Sequence, residues 1–388
     1  MEKKKNDFIA QGSILAVASI LVRVMGMIYR IPMTAIIGDK GNGFYSYAYS
    51  VYTILLLLSS YSLPLAVSKM VSAKAQLGQW RNVKRVFICA IAFAIGIGTT
   101  FGLIVLIGAQ FFTRVFFHSE LAAIALRFMA PTILIMALLG VFRGFFQGLQ
   151  NTLPTAVSQI VEGLINAIMS VVFAYFLFDF GHGMDATSGT TDLGYAWGAA
   201  GGAIGTGAGA LAGLIFCFIL FVAYRKILAV NISRDKTGTQ QEYGDIFRLM
   251  LSIALPVILS TALYNLIELV DGSLFNNIMA SKGMEDVKDS MWGAYNAKAL
   301  LLVHIPVSIS SAMAVSLVPT LTAAYALGDE QTAKSKVHAI LRFISILAFP
   351  SAVGLLVLAN PIIKTLFSGD TSAASTYLQV VCPAVITF

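Results

Sequence analysis

The sequence predicts an all-α integral membrane protein, and three features carry this prediction: the composition, the long apolar runs and the short loops. Apolar residues make up 57% of the 388 residues and charged residues only 12%, whereas about a quarter of a soluble domain is charged. So little charge cannot cover a soluble surface, and so many apolar residues exclude a disordered chain. The alternation typical of outer-membrane β-barrel strands is absent from the sequence.

Nine apolar runs are long enough for the roughly 20 residues that cross a bilayer core, and a tenth begins near Ser372. The connecting loops are short, which leaves no room for a soluble domain. In chain order the nine predicted spans are Gly12–Ile37, Gly43–Ser72, Val86–Phe112, Leu121–Gln147, Pro154–Phe180, Gly194–Tyr224, Ile246–Ala280, Met291–Ala324 and Val337–Ile363.

The first span follows a basic segment, Met1–Lys5, as the apolar part of a signal peptide would. It continues to Ile37 and carries Arg23 and Arg30, so it is too long for a cleaved signal and is predicted to stay in the protein. With the N-terminus inside, 14 Lys and Arg residues fall at inner ends of the spans and only five at outer ends. This bias predicts a cytoplasmic N-terminus.

The sixth span carries a glycine at every third or fourth position, from Gly198 through Gly202, Gly205 and Gly209 to Gly213. Such spacing is typical of transmembrane helices that pack closely. It does not indicate a dinucleotide site, because no strand precedes it. No motif indicates a catalytic residue, a metal ion or a cofactor, and the phosphate-binding pattern G-x-x-x-x-G-K-[ST] is absent. The basic residues form short clusters between spans, so no nucleic-acid partner is predicted.

The chain repeats itself at a constant offset of 250 residues. Matched Gly, charged and loop residues at one offset indicate a duplication rather than the chance likeness of two apolar helices. The matched pairs are Asp39/Asp289, Gly43/Gly293, Tyr45/Tyr295, Ala73/Ala323, Leu77/Leu327, Gly78/Gly328, Lys84/Lys334, Arg114/Lys364, Phe117/Phe367 and Glu120/Asp370.

A repeat unit of six helices contains an even number of spans, so its two copies face the same way, as in the parallel-repeat transporters. The predicted domains are an N-lobe of residues 1–225, an inter-lobe linker of residues 226–245 and a C-lobe of residues 246–388. A full second copy would extend to about residue 475 by the same offset. The second lobe is therefore expected to be incomplete in this chain.

Ionisable residues inside spans mark the candidate functional residues, because buried charges usually face a cavity or a partner. Arg23 and Arg30 lie seven positions apart, on one face of the first helix. Guanidinium groups suit phosphate oxygens, which predicts an anion site in a cavity. The alternative is a structural pair that binds carbonyl groups or a carboxylate elsewhere.

Glu268 and Asp271 lie three residues apart on the seventh span. They are predicted either to bind a coupling proton or sodium ion, or to neutralise the arginines of the first helix. Lys298 and His304 on the eighth span are weaker candidates, and His304 is expected to form a hydrogen bond between helices.

Glu162 and Asn166 share one face of the fifth span, and Arg143 lies near the inner end of the fourth. A structural or gating role is predicted for these three residues, and the simplest form of it is an Arg143–Glu162 brace.

Several segments together resemble the stage V sporulation protein B-like polysaccharide exporters of the multidrug/oligosaccharidyl-lipid/polysaccharide superfamily. They are the run from Arg143 to Glu162 (RGFFQGLQNTLPTAVSQIVE), Arg30-Ile-Pro, Gly43-Phe-Tyr and the run from Leu63 to Lys69 (LPLAVSK). The resemblance implies two six-helix lobes around a central cavity in a bacterial cytoplasmic membrane. In the related lipid II flippases the first helix carries R-x-x-G-x-x-R. Here Arg23 and Gly26 match that pattern, and Arg30 lies one residue later.

The function implied is a flippase that moves an undecaprenyl-pyrophosphate-linked saccharide between leaflets by alternating access. Its partners would be that lipid-linked saccharide, membrane lipids and a coupling proton or sodium ion. The alternative is a cation-coupled multidrug exporter of the same superfamily, which would favour an anionic cavity. A membrane glycosyltransferase, a third class, usually needs a sizeable outer loop, and the longest predicted here, residues 181–193, is too short.

Overall fold

A computed structural model describes residues 2–311, 313, 329–369 and 371–387, and within these residues the secondary structure is helical with no strand. Seven helices in the described part are long and apolar enough to cross a membrane. The prediction of an all-α membrane protein is therefore confirmed.

The first predicted span and the first part of the second form one helical segment, α1 (Glu2–Leu56), which breaks at Gly38. The backbone of Gly38 has φ 62° and ψ −176°, a conformation that side chains other than hydrogen strongly disfavour. The chain turns back there, since Met33 and Tyr45, on either side of the break, both lie against Gly202. The second arm continues through a π-helix, π1 (Leu57–Tyr61), into α2 (Leu63–Gln76).

Four long helices follow: α3 (Trp80–Phe117), α4 (Ala122–Gly148), α5 (Leu153–Ser188) and α6 (Leu193–Ser233). Each corresponds to one predicted span; α3, α5 and α6 extend beyond theirs at both ends, and α4 begins one residue later and ends one residue later than predicted. The glycines of α6 lie directly against the backbone of α5. A Cβ at Gly201 would collide with Phe173 and one at Gly209 would meet the Glu162 carbonyl, so small residues permit this close approach.

Gly205→Val should disrupt the α5–α6 contact, because even a Cβ at this position would collide with the backbone of Ser170. Overpacking of this kind costs about 1–3 kcal/mol, which predicts a Tm at least about 3 °C lower in detergent. Gly96→Val in α3 is the matched control, since nothing lies within 4 Å of its Cβ position. Equal Tm values for the two variants would contradict the role assigned to Gly205.

The second half of the chain begins with α7 (Tyr243–Ser281), α8 (Glu285–Ala294), the π-helix π2 (Tyr295–Leu300) and α9 (301–311). The rest of the predicted Met291–Ala324 span lies outside the described residues, apart from residue 313. The chain continues in α10 (Glu330–Val357), α11 (Ala359–Leu366), α12 (Ser372–Val381) and α13 (Ala384–Thr387). The span predicted to end at Ile363 is thus interrupted at Leu358.

Contacts between α3 and the segment after α6 define one end of the bundle. The Asn82 side chain donates to Thr239 O (3.1 Å) and accepts from Gln241 N (3.0 Å), and Arg85 stacks on the ring of Tyr243. Asp235 accepts from Arg81 N at 2.9 Å. We call this the basic end, for its residues Lys74, Arg81, Lys84, Arg85 and Lys226.

Hydrogen bonds to the Asp235 carboxylate, first from the Arg81 backbone and then from Thr237, lower its pKa to about 2. The carboxylate therefore stays charged and keeps residues 234–242 attached to α3. Helix α6 continues to Ser233, so the first part of the predicted linker is helical. The division into two lobes remains a prediction.

Candidate functional site

Arg30 of α1 lies within electrostatic range of Glu268 of α7 and of His304 of α9. It is half-buried, and the hydroxyl groups of Tyr45 and Tyr49 on the second arm of α1 are also within range. Residues separated by more than 230 positions are thereby brought to one place, which we call the central site.

Glu268 accepts a hydrogen bond from the Ser50 hydroxyl at 3.3 Å and lies within electrostatic range of Asp271. Both carboxylates are exposed in the isolated chain. Neither has a salt-bridge partner within 4.0 Å among the described residues. No Lys, Arg or His side chain among the described residues therefore forms an ion pair with either carboxylate.

Arg23 and Gly26 lie one to two turns before Arg30 on the same arm of α1. Arg23 is exposed, and its charge also acts on His304. Nothing lies within 4 Å of a Cβ built on Gly26, so this glycine does not serve a tight helix contact. The helix surface between the two arginines is open.

Arg143 forms a separate, buried cluster with residues of α5. Its guanidinium lies 2.6 Å from the Glu162 carboxylate and donates from Nε to Ser158 Oγ at 2.9 Å. Asn166 is not part of this cluster, because its Oδ1 accepts from Ser170 at 2.8 Å. The structure thus places Arg143 and Glu162 as a brace between α4 and α5, with Asn166 one turn away.

At the opposite end from the basic end, the second arm of α1 packs directly on α8 and π2. Lys298 is 1% exposed and its ammonium lies 2.7 Å from the Asp39 carboxylate. A Cβ at Gly43 would collide with the Asp289 carbonyl, and one at Gly293 would collide with the Asp39 carbonyl. We call these five residues the seam.

The contacts in the seam are reciprocal between the two copies of the repeat. Asp39 and Asp289 are one matched pair of the 250-residue repeat, and Gly43 and Gly293 are another. Each glycine faces the carbonyl of the other copy's aspartate. The repeat predicts that these four residues are equivalent but not that they are in contact, and Lys298 is only a weak candidate by sequence.

Aromatic and charged contacts surround the seam. The Tyr47 ring stacks on Phe117 (4.6 Å between centroids) and on Trp292 (6.2 Å), and its hydroxyl donates to Asn276 at 3.0 Å. Lys288 donates to the carbonyl of His118 at 2.8 Å, at the C-terminal end of α3 where the helix dipole favours a cation. These contacts tie α1, α3, α7 and α8 together at this end.

Asp289 is a titratable group in the seam. It is 9% exposed, and its Oδ1 has no hydrogen-bond partner among the described residues. Burial raises its pKa to about 6, while the charges of Lys288 and Lys40 oppose this shift and the charge of Asp192 adds to it. In the closed seam the Asp289 carboxylate therefore binds a proton more tightly than a solvated aspartate does.

The seam should loosen as the pH rises from about 4 to about 6. Because the pKa of Asp289 is raised in the closed seam, its protonated form stabilises that seam, fully so at pH values below the ordinary aspartate pKa near 4. This stabilisation is lost as the pH rises through about 6, where Asp289 ionises. The emission of Trp292, measured with Trp80 and Trp197 replaced by Phe, should shift to longer wavelength over this range. Asp289→Asn should remove the shift, and a shift that persists in this variant would count against Asp289.

The chain matches the model of a family described as polysaccharide biosynthesis protein over residues 8–324, and a second model with the same description over residues 286–374. The lipid II flippase MurJ of Bacillus subtilis strain 168 is 26% identical over 370 residues, or 92% of this chain. Stage V sporulation protein B of the same organism is 24% identical over 98% of this chain. The chain covers 65% of the length of the first relative and 70% of the second.

Solved structures share the fold at low sequence identity. An inward-facing multidrug resistance MATE family transporter of the MOP superfamily superposes with a TM-score of 0.70 at 13% identity, covering 94% of this chain and 79% of that one. A MOP superfamily transporter from Pyrococcus furiosus, described as having a binding pocket of reverse polarity, gives 0.61 at 14% identity, covering 97% and 78%. At such identities the likeness concerns the fold alone.

Proposed function

Because the chain belongs to the polysaccharide biosynthesis protein family, we propose that it is a flippase for a lipid-linked oligosaccharide or another cell-envelope precursor. The observation that carries this proposal is the cationic surface of α1. Arg23 and Arg30 flank an open helix face, and Arg30 reaches the groups contributed by α7 and α9. A (pyro)phosphate is the part of a lipid-linked saccharide that such a surface would bind.

The proposed substrate is an undecaprenyl-(pyro)phosphate-linked saccharide. Guanidinium groups remain charged and bind phosphate oxygens through two parallel hydrogen bonds. The phenol groups near Arg30 are neutral donors and acceptors, which suits the hydroxyl-rich saccharide next to the phosphate. On this view Arg23 and Arg30 bind the head group, and the lipid chain remains outside the central site.

We propose that transport proceeds by alternating access between the predicted lobes, residues 1–225 and 246–388. The basic end would face the cytoplasm, in accord with the positive-inside rule, and the seam would close the central site on the other side. Release on that side requires the reciprocal glycine contacts and the Asp39–Lys298 ion pair to separate. MATE transporters that share this fold have been described in inward-facing and outward-facing conformations, which supports a bundle able to adopt two openings.

A cation-coupled drug exporter is the second candidate, because Glu268 and Asp271 are exposed carboxylates without a described salt-bridge partner. Two carboxylates three residues apart on a helix would bind a cationic drug or a coupling proton or sodium ion. The charge of Arg30, which acts on Glu268, opposes binding of a cationic drug. The flippase is therefore the better-supported proposal.

Depletion of the protein in its native host separates the two functions. A flippase predicts that a lipid-linked precursor accumulates with its saccharide on the cytoplasmic side and is chemically unchanged. An exporter predicts greater drug sensitivity with normal precursor levels. Normal precursor distribution after depletion would refute the flippase, and the accumulated precursor would identify the saccharide.

A further inference from the structure

A groove of about 650 Å³ lies between α2 and α7 near the basic end, away from the central site. Its lining includes Lys69 and Lys74 of α2, together with Ser252 and apolar residues of both helices. The apolar lining that matters most is Leu65 of α2 and Leu249, Ile253 and Val257 of α7. The groove is thus basic on one wall and apolar along its length.

The two lysines have no described counter-charge. Neither Lys69 nor Lys74 has an ion pair or hydrogen bond among the described residues, and no acidic residue lines the groove. They lie five residues apart on α2, which is about 7.5 Å along the helix axis and about 140° around it, and both line the groove. Because lysine side chains are long and flexible, both ammonium groups can reach the oxygens of a single phosphate at the groove.

Lys69 lies seven residues before the end of α2 at Gln76, which is about 10 Å of helix. A lysine at that depth extends its ammonium towards the head-group level while its methylene stem covers apolar surface. Leu65, 52% exposed, continues the groove one turn beyond Lys69 on α2, and Val257 lies about two turns beyond Leu249 on α7. A phosphate therefore fits at the mouth of the groove and a hydrocarbon chain fits below it.

We propose that the α2–α7 groove binds one anionic phospholipid from the leaflet at the basic end, with its phosphate between Lys69 and Lys74. Its acyl chain would lie against Leu65 and Val257. We infer an anionic lipid from the charge of the groove, because basic pockets between transmembrane helices bind anionic lipid head groups. A free phosphate would leave the apolar walls uncovered, and a zwitterionic lipid would leave the lysines without a net counter-charge.

This site is distinct from the proposed substrate site, because it uses α2 and α7 rather than the arginines of α1. Since α2 and α7 belong to the two predicted lobes, a bound lipid would contact both. It would thereby favour the arrangement seen here, in which the seam is closed and the groove is present. Lipid binding in the groove does not depend on which substrate the protein transports.

Native mass spectrometry of the purified protein tests the site directly. The protein is equilibrated with equimolar phosphatidylglycerol and phosphatidylcholine of identical acyl chains. We expect one phosphatidylglycerol to be retained in about thirtyfold preference, the order expected for two lysines near an anionic lipid. The variant with Lys69→Gln and Lys74→Gln should retain both lipids equally.

A matched control removes two positive charges at the same end but outside the groove, by Arg225→Gln with Lys226→Gln, both exposed on α6. This control should keep the preference of the parent protein, as should the variant with Lys69→Arg and Lys74→Arg. Val257→Trp should weaken retention while leaving both lysines in place, because it fills the apolar part of the groove.

Three results would overturn the proposal: no lipid preference in the parent protein, an unchanged preference in the glutamine variant, or equal losses in the glutamine variant and the Arg225/Lys226 control. Displacement of the lipid by inorganic phosphate alone would assign the lysines to an anion site without a lipid. A measured Tm for each variant separates lost binding from lost folding.

Discussion

Arg30→Ala is expected to reduce transport by at least about tenfold while leaving the protein folded and in the membrane. The guanidinium lies at the central site within range of Glu268 and His304, and a hydrogen bond to a charged group contributes about 1.5–3 kcal/mol. A phosphate bound there would lose its principal cationic partner. Complementation of a depleted host, with protein level measured in the same cells, gives the result.

Arg225→Ala, at an exposed position of α6, is the control and should complement normally. Arg30→Lys keeps the charge but loses the planar pair of donors, so its activity should fall between those of the parent protein and Arg30→Ala. Arg23→Ala should show the same loss to a smaller degree, because Arg23 is exposed. Full activity of both alanine variants would refute the anion-site role.

Gly293→Ala should open the seam although it adds a single carbon atom. That carbon would collide with the Asp39 carbonyl and the Gly43 backbone nitrogen, and backbone cannot move aside as a side-chain end can. An overpacking cost of about 1–3 kcal/mol predicts roughly tenfold faster hydrogen exchange or more in residues 39–47 and 285–294. The measurement is exchange followed by mass spectrometry.

Gly354→Ala in α10 is the control, since nothing lies within 4 Å of its Cβ position. Gly43→Ala should act like Gly293→Ala, because each glycine faces the carbonyl of the other copy's aspartate across the seam. Combining the two substitutions should add little, because the same contact has already separated. Parent-like exchange in Gly293→Ala would show that the seam is not held closed by this contact.

Interactions between neighbours in the sequence were predictable from the residues alone. Arg143 and Glu162 were predicted as a brace from their places near the facing ends of consecutive helices, and the structure places them 2.6 Å apart. The glycine spacing of α6 likewise indicated close packing, and its contacts with α5 follow that spacing. Short loops make consecutive helices neighbours, so their facing residues can be read from the order of the chain.

Contacts between the two halves of the chain were not predictable in the same way. The repeat identified Asp39, Gly43, Asp289 and Gly293 as equivalent positions, but equivalence does not require contact. The Asp39–Lys298 pair joins residues 259 positions apart, and neither is matched to the other by the repeat. Only the packing of α1 on α8 and π2 places them together.

The sequence by itself determined the fold class, most of the spans, the Gly-rich α6 interface and the ionisable candidates, because bilayer thickness and the cost of buried charge act on local composition. The tertiary structure decided that Arg30 lies within electrostatic range of Glu268 and His304 and that Lys298 forms an ion pair with Asp39. It also decided that Asn166 bonds to Ser170 rather than joining the brace. Helix rotation and crossing geometry determine these partners, and they depend on the packing of all helices together rather than on the pattern within one.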